Sequence, residues 1–422
     1  MQFHKTILPN GLRLIVVPMK ESATVTVMAL VEAGSKYETK DINGLSHFLE
    51  HMCFKGTAKR PHAIDISREL DAIGAQYNAF TSQEFTGYFA KSAKQHFQKI
   101  LSVVSDIYLH PSFPEPEIEK EKGVIVEEIN MYRDLPQKHV QDLFLELLYG
   151  DQPAGWNIAG TPERVRALSR ADFVAYREKH YVSGATTVVV AGAVSPEEAR
   201  EAVARAFEGM STSAKHPKIT VVENQNAPSI RIEPRSLDQA HFVLGARSFN
   251  AYDKLLPALK VMAGALGAGM SSRLFQRMRE ELGICYYVKT DNDALTDHGF
   301  FTVSAGVAPS RAEEALRAVL AEFARLRDEP LSEEELRKVK DCMVGNMYLS
   351  LESTDELAEF YGMQEVLRKE LKQPDEIAKE IEKVDSKDIQ EIARLIFKPE
   401  RLNLAIVGQA PAEMRLQEVL TL

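Results

Sequence analysis

The alternation of strand-like and helical segments runs through this 422-residue chain twice. Residues 11–33 carry GLRLIVVP and ATVTVMALVEAG, and residues 229–247 carry SIRIEP and AHFVLGAR. Both openings have the apolar, β-branched content of strands. Each is followed by a helical stretch, more strand, and then long charged amphipathic helices. Placing Glu117-Ile118 over Glu335-Leu336 brings Lys120 onto Lys338, Lys122 onto Lys340 and Val126 onto Val344. Upstream of this match, helices of one kind fall near 94–109 and 311–327. The pattern predicts a duplicated α+β unit with a period too long for a solenoid. The alternative, that any two amphipathic Lys/Glu helices align this well, stays open. Two domains of about 200 residues each also suit the length. The expected division is an N-terminal domain at 1–212, a Pro-, Ser- and Asn-rich linker at 213–228, and a homologous C-terminal domain at 229–422.

Several classes of function are disfavoured by composition. The net charge of −10 argues against nucleic acid as a partner, because phosphate binding wants a basic surface. No segment approaches the roughly 18 apolar residues that a membrane span needs. The opening MQFHKTILPNGLRLIVVP reads as two strands joined at Asn10-Gly11, not as a secretion signal. Cys53, Cys285 and Cys342 are scattered and odd in number, which fits a reducing cytoplasm better than a disulfide framework.

The stretch with the clearest chemistry is GLSHFLEHMCFKGT, residues 44–57. On a helix, His47 and His51 lie four residues apart and project from one face. Two imidazoles so placed can meet one tetrahedral zinc at about 2.0–2.1 Å. Glu50 borders the same face, close enough to serve a water there without itself being a ligand. The order HxxEH reverses the commoner HExxH. With 11 histidines and 61 acidic residues in 422 positions, such a pattern arises by chance about 0.04 times. Two histidines beside a carboxylate on a helix flanked by Phe48, Leu49, Met52 and Phe54 therefore point to a metal. The alternative is a pair of histidines satisfied at the surface or in the core.

Catalytic zinc normally has three protein ligands and a water. The helix EPEIEKEKGVIVEEINMYRDLP (115–136) offers a third. Glu121 and Glu128 lie seven apart on a stripe with Ile118, Ile125, Ile129 and Tyr132. Carboxylates on an apolar stripe need a cation or donors, whereas Glu127 lies off it and reads as solvated. A charged surface helix in a different register is the alternative.

HFLEH, EKEKGVIVEEI and GAQYNAFTSQEFTGYFA (74–90) together resemble the pitrilysin family, which includes insulysin and mitochondrial processing peptidase. The likeness runs nearly the whole chain, including GWNIAGTPERVRALSRADFVAYREKHY (155–181). The resemblance implies that His47, His51 and Glu128 bind one Zn2+ per chain, that Glu50 is the general base, and that Glu121 supports the site. It implies that the strand edge at Asn78, Ala79 and Phe80 pairs with an extended peptide substrate by β-augmentation. In SSRLFQRMREELGICYYV (271–288), it makes Arg279 and Tyr286 a substrate-contacting, oxyanion-stabilising pair. Without it, Arg279 reads as a helix-surface cation and Tyr286 as strand core. The second half has Asn346 where the first has Glu128, and it has no HxxEH.

Short members of this family resemble half of a clamshell. The expectation is a cytoplasmic homodimeric zinc endopeptidase whose Arg279 and Tyr286 act in trans, enclosing peptides or short unfolded segments in a chamber. A heterodimer with an inactive homologue, a non-catalytic scaffold subunit, and a peptidase dedicated to one precursor are the alternatives. Elsewhere, Cys53 points away from the metal face and reads as core. Trp156, Gly155 and Gly160 read as loop packing, and His62, His96, His139 and His180 as surface. The helices at 312–328, 332–349, 354–369 and 385–397 read as core, and Gly267 and Gly269 show no phosphate-loop pattern.

Overall fold

The computed structural model describes residues 2–411 and 413–420. The chain runs β1 (His4–Ile7), β2 (Arg13–Pro18), β3 (Thr24–Val31), α1 (Leu45–Cys53), α2 (Ala63–Asp71), β4 (Gln76–Thr81), β5 (Thr86–Ala93) and α3 (Phe97–Leu109). It continues with α4 (Glu115–Asp134), α5 (Pro136–Tyr149), α6 (Pro162–Ala167), α7 (Arg170–His180), β6 (Thr186–Gly192) and α8 (Pro196–Ala206). The second half holds β7 (Ser229–Glu233), β8 (Ala240–Arg247), α9 (Leu256–Gly267), β9 (Cys285–Ala294), β10 (Gly299–Val307), α10 (Ala312–Asp328) and α11 (Glu333–Ser350). It ends with α12 (Thr354–Arg368), α13 (Pro374–Lys383), α14 (Ser386–Ile396), β11 (Asn403–Val407) and α15 (Glu413–Val419). The fold is α+β, with two sheets, each covered by helices.

The first sheet has the order β1-β2-β6-β3-β5-β4, antiparallel except for the β2–β6 pair. Alternate residues of β3 enter different layers. Val25, Val27, Ala29 and Val31 join a core shared with α1, α3 and α8. On the opposite face, Leu30 and Val189 meet α12 at Gly362. β4 is an edge strand of this sheet. The second sheet, β7-β11-β8-β10-β9, has the same logic. Phe242, Leu244, Phe301 and Val303 pack with α9, α10 and α14, while Val243, Phe300, Ala405 and Val407 lie under Val140, Leu143 and Phe144 of α5.

The contiguous division at 1–212 and 229–422 is therefore corrected. One compact unit comprises residues 1–129, 157–219 and 348–373, and the other comprises 130–156, 220–347 and 374–422. Each sheet is apolar on both faces and needs a helix layer on both. Each obtains its second layer from the other half of the sequence: α12 covers the first sheet and α5 the second. The borrowed α12 is held by specific contacts. Lys5 pairs with Glu365 at 2.7 Å, Lys91 with Asp355 at 2.7 Å, and the Thr26 and Thr354 hydroxyls meet at 2.9 Å.

Three smaller expectations change. Residues 213–228 have no regular secondary structure, as a linker should, yet Lys218 pairs with Glu84 at 2.7 Å and Gln152 exchanges hydrogen bonds with Val222. α11 is amphipathic but buries only Val339, so it is not core. His180, read as surface, is 3% exposed and lies against Tyr176, with the rings tilted and their centroids 4.5 Å apart. Its ring sits among Tyr37, Tyr176 and His216, and two of these neighbours are distant in sequence, so local sequence does not encode its burial. Among the described residues no helix is long and apolar enough to cross a membrane.

Candidate metal centre

Gly44 opens α1 with φ +97°, a left-handed backbone that favours glycine. A Cβ on Gly160 would lie 2.5 Å from the Asn43 carbonyl oxygen, so the 157–160 segment sits directly against the start of this helix. α1 buries Leu45, Phe48, Leu49, Met52 and Cys53. The opposite face carries His47, Glu50 and His51, all half-buried. Cys53 points into the core, where its thiol lies 3.5 Å from the Tyr88 hydroxyl, and burial pushes it up to about 12. It is inert packing.

α4 supplies the carboxylates. Ile118, Glu121, Ile125 and Val126 are buried, Glu128 is half-buried, and Glu127 is exposed. Tyr132, placed on the stripe by the sequence, is exposed because α4 has run past the core by then. Glu128 Oε2 lies 3.7 Å from His47 Nε2 and 3.6 Å from His51 Nε2. Donor atoms of all three residues fall within 4.8 Å of one another. Ligands of a tetrahedral zinc at about 2.0–2.1 Å are about 3.3–3.4 Å apart. Two imidazole nitrogens and one carboxylate oxygen at these separations thus fit zinc, by spacing and by ligand chemistry.

Electrostatics agree with that role. Burial, and then neighbouring His51, lower His47 to about 4, so its imidazole is neutral and has a lone pair to offer. Glu121 accepts from His51 Nδ1 at 3.0 Å and pairs with Lys55 Nζ at 2.6 Å. Burial opposes ionisation of Glu121, but the His51 and Lys55 contacts outweigh it and hold the carboxyl below its usual range. A carboxylate so placed would fix the tautomer and orientation of His51 were it to bind a metal through Nε2.

Glu50 belongs to the same face, and Thr81 at the end of β4 donates to its Oε2 at 2.6 Å. Burial raises the Glu50 carboxyl, against the Thr81 hydrogen bond and the charge of His51. Neither Thr81 nor Lys55 was singled out from sequence. Lys55 lies within the motif stretch, but Thr81 reaches Glu50 only through the tertiary placement of β4 beside α1.

On edge strand β4, Asn78 is exposed and its Oδ1 accepts from Ala79 N at 2.9 Å. Ala79 and Phe80 are half-buried, and the Phe80 ring covers Gly87 on the paired strand, where any Cβ would collide with it. In the second unit, Phe275–Glu281 form a π-helix, a form frequent at functional sites and not anticipated here. It brings Arg279 against Tyr286. The Arg279 Nη1 donates to the Tyr286 carbonyl at 2.8 Å, and the guanidinium lies 5.2 Å from the Tyr286 ring centroid and 5.1 Å from that of Phe275. The Tyr286 side chain is not strand core, being 73% exposed. Asn346, opposite number of Glu128, is exposed and contacts Cys342.

An HxxEH helix facing a glutamate-bearing helix is the arrangement expected of an inverted metallopeptidase site. Residues 14–162 match the family described as Insulinase (Peptidase family M16), and residues 167–343 match the Peptidase M16 inactive domain. The chain belongs to peptidase family M16. It is 33% identical over 388 residues to a Bacillus subtilis protein named uncharacterized zinc protease YmxG, covering 92% of this chain and 94% of that one. A Streptomyces coelicolor protein named uncharacterized zinc protease SCO5738 is 33% identical over 412 residues, covering 96% and 89%. A protease from Helicobacter pylori shares the fold, with TM-score 0.91 and 22% identity over 96% of this chain and 99% of that one. So does a Pseudomonas fluorescens protein titled peptidase M16 inactive domain, with TM-score 0.90 and 16% identity over 98% and 99%.

Proposed function

We propose that this chain is a zinc-dependent endopeptidase acting on peptides or short unfolded segments, with one zinc per chain held by His47, His51 and Glu128. The observation that carries this reading is the convergence of three donor atoms, within 4.8 Å of one another, beside a carboxylate that is not one of them. The naming of the relatives as zinc proteases supports it. When bound, zinc polarises the scissile carbonyl and makes water acidic enough to deprotonate near neutral pH.

The chain's own residues do the rest. Glu50, with Oε2 engaged by Thr81, keeps Oε1 to take the water proton and return it to the leaving amine. Its raised affinity for protons suits both halves of that transfer. Glu121 fixes the His51 ring. The outer edge of β4 offers backbone groups at Asn78, Ala79 and Phe80 to an extended substrate, a mode of recognition that reads little side-chain information.

Arg279 and the exposed Tyr286 form a cation and phenol pair suited to a developing oxyanion. We assign this role in trans, within a homodimer that encloses a chamber, and place the protein in the cytoplasm, which its free cysteines suit. The presence of every motif residue disfavours a scaffold subunit.

Glu50→Gln tests the core of the proposal. Zinc content should match wild type, while cleavage of a quenched fluorescent peptide falls on the order of 10³-fold. Undiminished cleavage would remove Glu50 from the mechanism. Mixing Glu50→Gln with Arg279→Ala chains should restore activity, whereas unaltered inactivity would reject completion in trans. Cleavage of several unrelated peptides, as opposed to one, separates a general peptidase from a dedicated processing enzyme.

A further inference from the structure

The helix that carries His47, Glu50 and His51 begins with an N-cap that has no side chain. Gly44 cannot cap α1, so the first N–H groups of the helix need an acceptor from elsewhere. Glu38 supplies it. Its Oε1 accepts from Ser46 N at 2.6 Å, and its Oε2 accepts from Gly44 N at 2.9 Å and from Asn43 Nδ2 at 3.1 Å. Ser46 is the second residue of α1, the position whose N–H a capping oxygen ordinarily receives.

Glu38 is 0% exposed. A carboxylate so buried is normally paired with a cation, yet no lysine, arginine or histidine pairs with Glu38 among the described residues. Burial pushes the Glu38 carboxyl up to about 7, and the hydrogen bonds from Ser46, Gly44 and Asn43, with the partial positive charge of the α1 N-terminus, offset that cost only in part. Neighbouring contacts show that the whole first turn is built to be held still. The Ser46 hydroxyl meets Tyr176 OH at 2.7 Å, and Tyr176 donates to the Gly34 carbonyl at 3.1 Å. Asn43 also donates to the Asn157 carbonyl at 3.1 Å.

We propose that Glu38 is a positioning residue for the metal site: its carboxylate clamps the first turn of α1 and so sets where His47, the next residue after Ser46, presents its imidazole to His51 and Glu128. The inference rests on the zinc reading above. Core packing of Phe48 and Leu49 fixes which face α1 exposes; Glu38 fixes the height and start of the helix along its axis. Loosening of that first turn displaces His47 most and His51 least, so the three donors lose their common centre.

Glu38→Gln tests this in the full-length chain. The amide keeps the size of the side chain, but it turns an N–H donor toward one of the helix N–H groups. Zinc affinity, measured by competition with a chromophoric chelator, should weaken about tenfold, the lower end of the effect of removing a residue that orients a ligand. The kcat should fall with KM unchanged. In the metal-free protein, hydrogen exchange of the segment 43–54 should accelerate. A variant with a lowered melting temperature but wild-type zinc affinity, wild-type kcat and unchanged exchange would make Glu38 merely a stabilising residue and overturn the proposal.

Should Glu38→Gln fail to fold, Glu38→Asp keeps the charge but reaches only one of the two helix N–H groups. It should shift zinc affinity and exchange in the same direction by a smaller factor; no change in either would overturn the proposal equally. The exchange measurement needs no metal. If wild type bound no zinc, the function would fall while that measurement still decided whether Glu38 clamps α1.

Discussion

Replacing Glu121 with glutamine tests the supporting role proposed for that residue separately from the proposed ligands. In the native site two donors converge on its carboxylate: His51 Nδ1 at 3.0 Å and Lys55 Nζ at 2.6 Å. When His51 binds a metal through Nε2, its Nδ1 must carry a proton and donate. Both partners of Glu121 then require an acceptor oxygen, and glutamine has only one. Lys55, 22% exposed in its side chain, can turn to water, so the amide oxygen should go to His51. What is lost is the charge of that hydrogen bond, and Lys55 is left as an uncompensated cation beside a dication. Loss of such a partner lowers metal affinity about 10–100-fold, or about 1.4–2.8 kcal/mol. Glu121→Gln should fall near tenfold and Glu121→Ala, which leaves Nδ1 with no protein acceptor, near a hundredfold. Chelator competition reads both directly, and added zinc should restore much of the peptidase activity. Wild-type zinc affinity in Glu121→Ala would refute the reasoning, because the His51 ring would then need no carboxylate behind it.

Thr81→Val keeps the branched shape but removes the donor to Glu50. The kcat should fall about tenfold, the order of one hydrogen bond to a charged group, with zinc content unchanged; an equal loss of zinc would show that Thr81 acts on the ligands. Gly362→Val places side-chain atoms against Leu30 and Val189 under α12, and overpacking of this kind should cost about 1–3 kcal/mol in denaturant unfolding. His180 is lowered to about 4, by burial first and then by Lys179 and His216. Unfolded histidine titrates near 6.5, so between pH 6.5 and 4 the unfolded chain takes up the proton and stability falls as pH falls. His180→Asn should flatten that part of the acid-unfolding curve; an unchanged slope would mean that His180 is already charged when folded.

The HxxEH helix was legible because its code is local. Four-residue spacing puts His47 and His51 on one face whatever the rest of the chain does. Glu121 and Glu128 were legible as out of place on an apolar stripe, although their division into supporting residue and ligand came from family resemblance. The exchange of α5 and α12 was not legible, since an amphipathic stripe declares that a helix is buried but not on which sheet. Thr81 and Glu38 escaped for a related reason: each acts across a tertiary contact, 31 residues from Glu50 in one case and 8 from Ser46 in the other. The π-helix before Tyr286 also left no trace, because QRMREE suits an ordinary helix as well.

The central claim concerns three side chains and one ion, and anomalous diffraction at the zinc edge addresses it without an assay of activity. Crystals grown from zinc-saturated protein should show one strong peak per chain, about 2.0–2.2 Å from His47 Nε2, His51 Nε2 and a Glu128 oxygen. A peak held by other residues, or none between α1 and α4 at full zinc loading, would contradict the account.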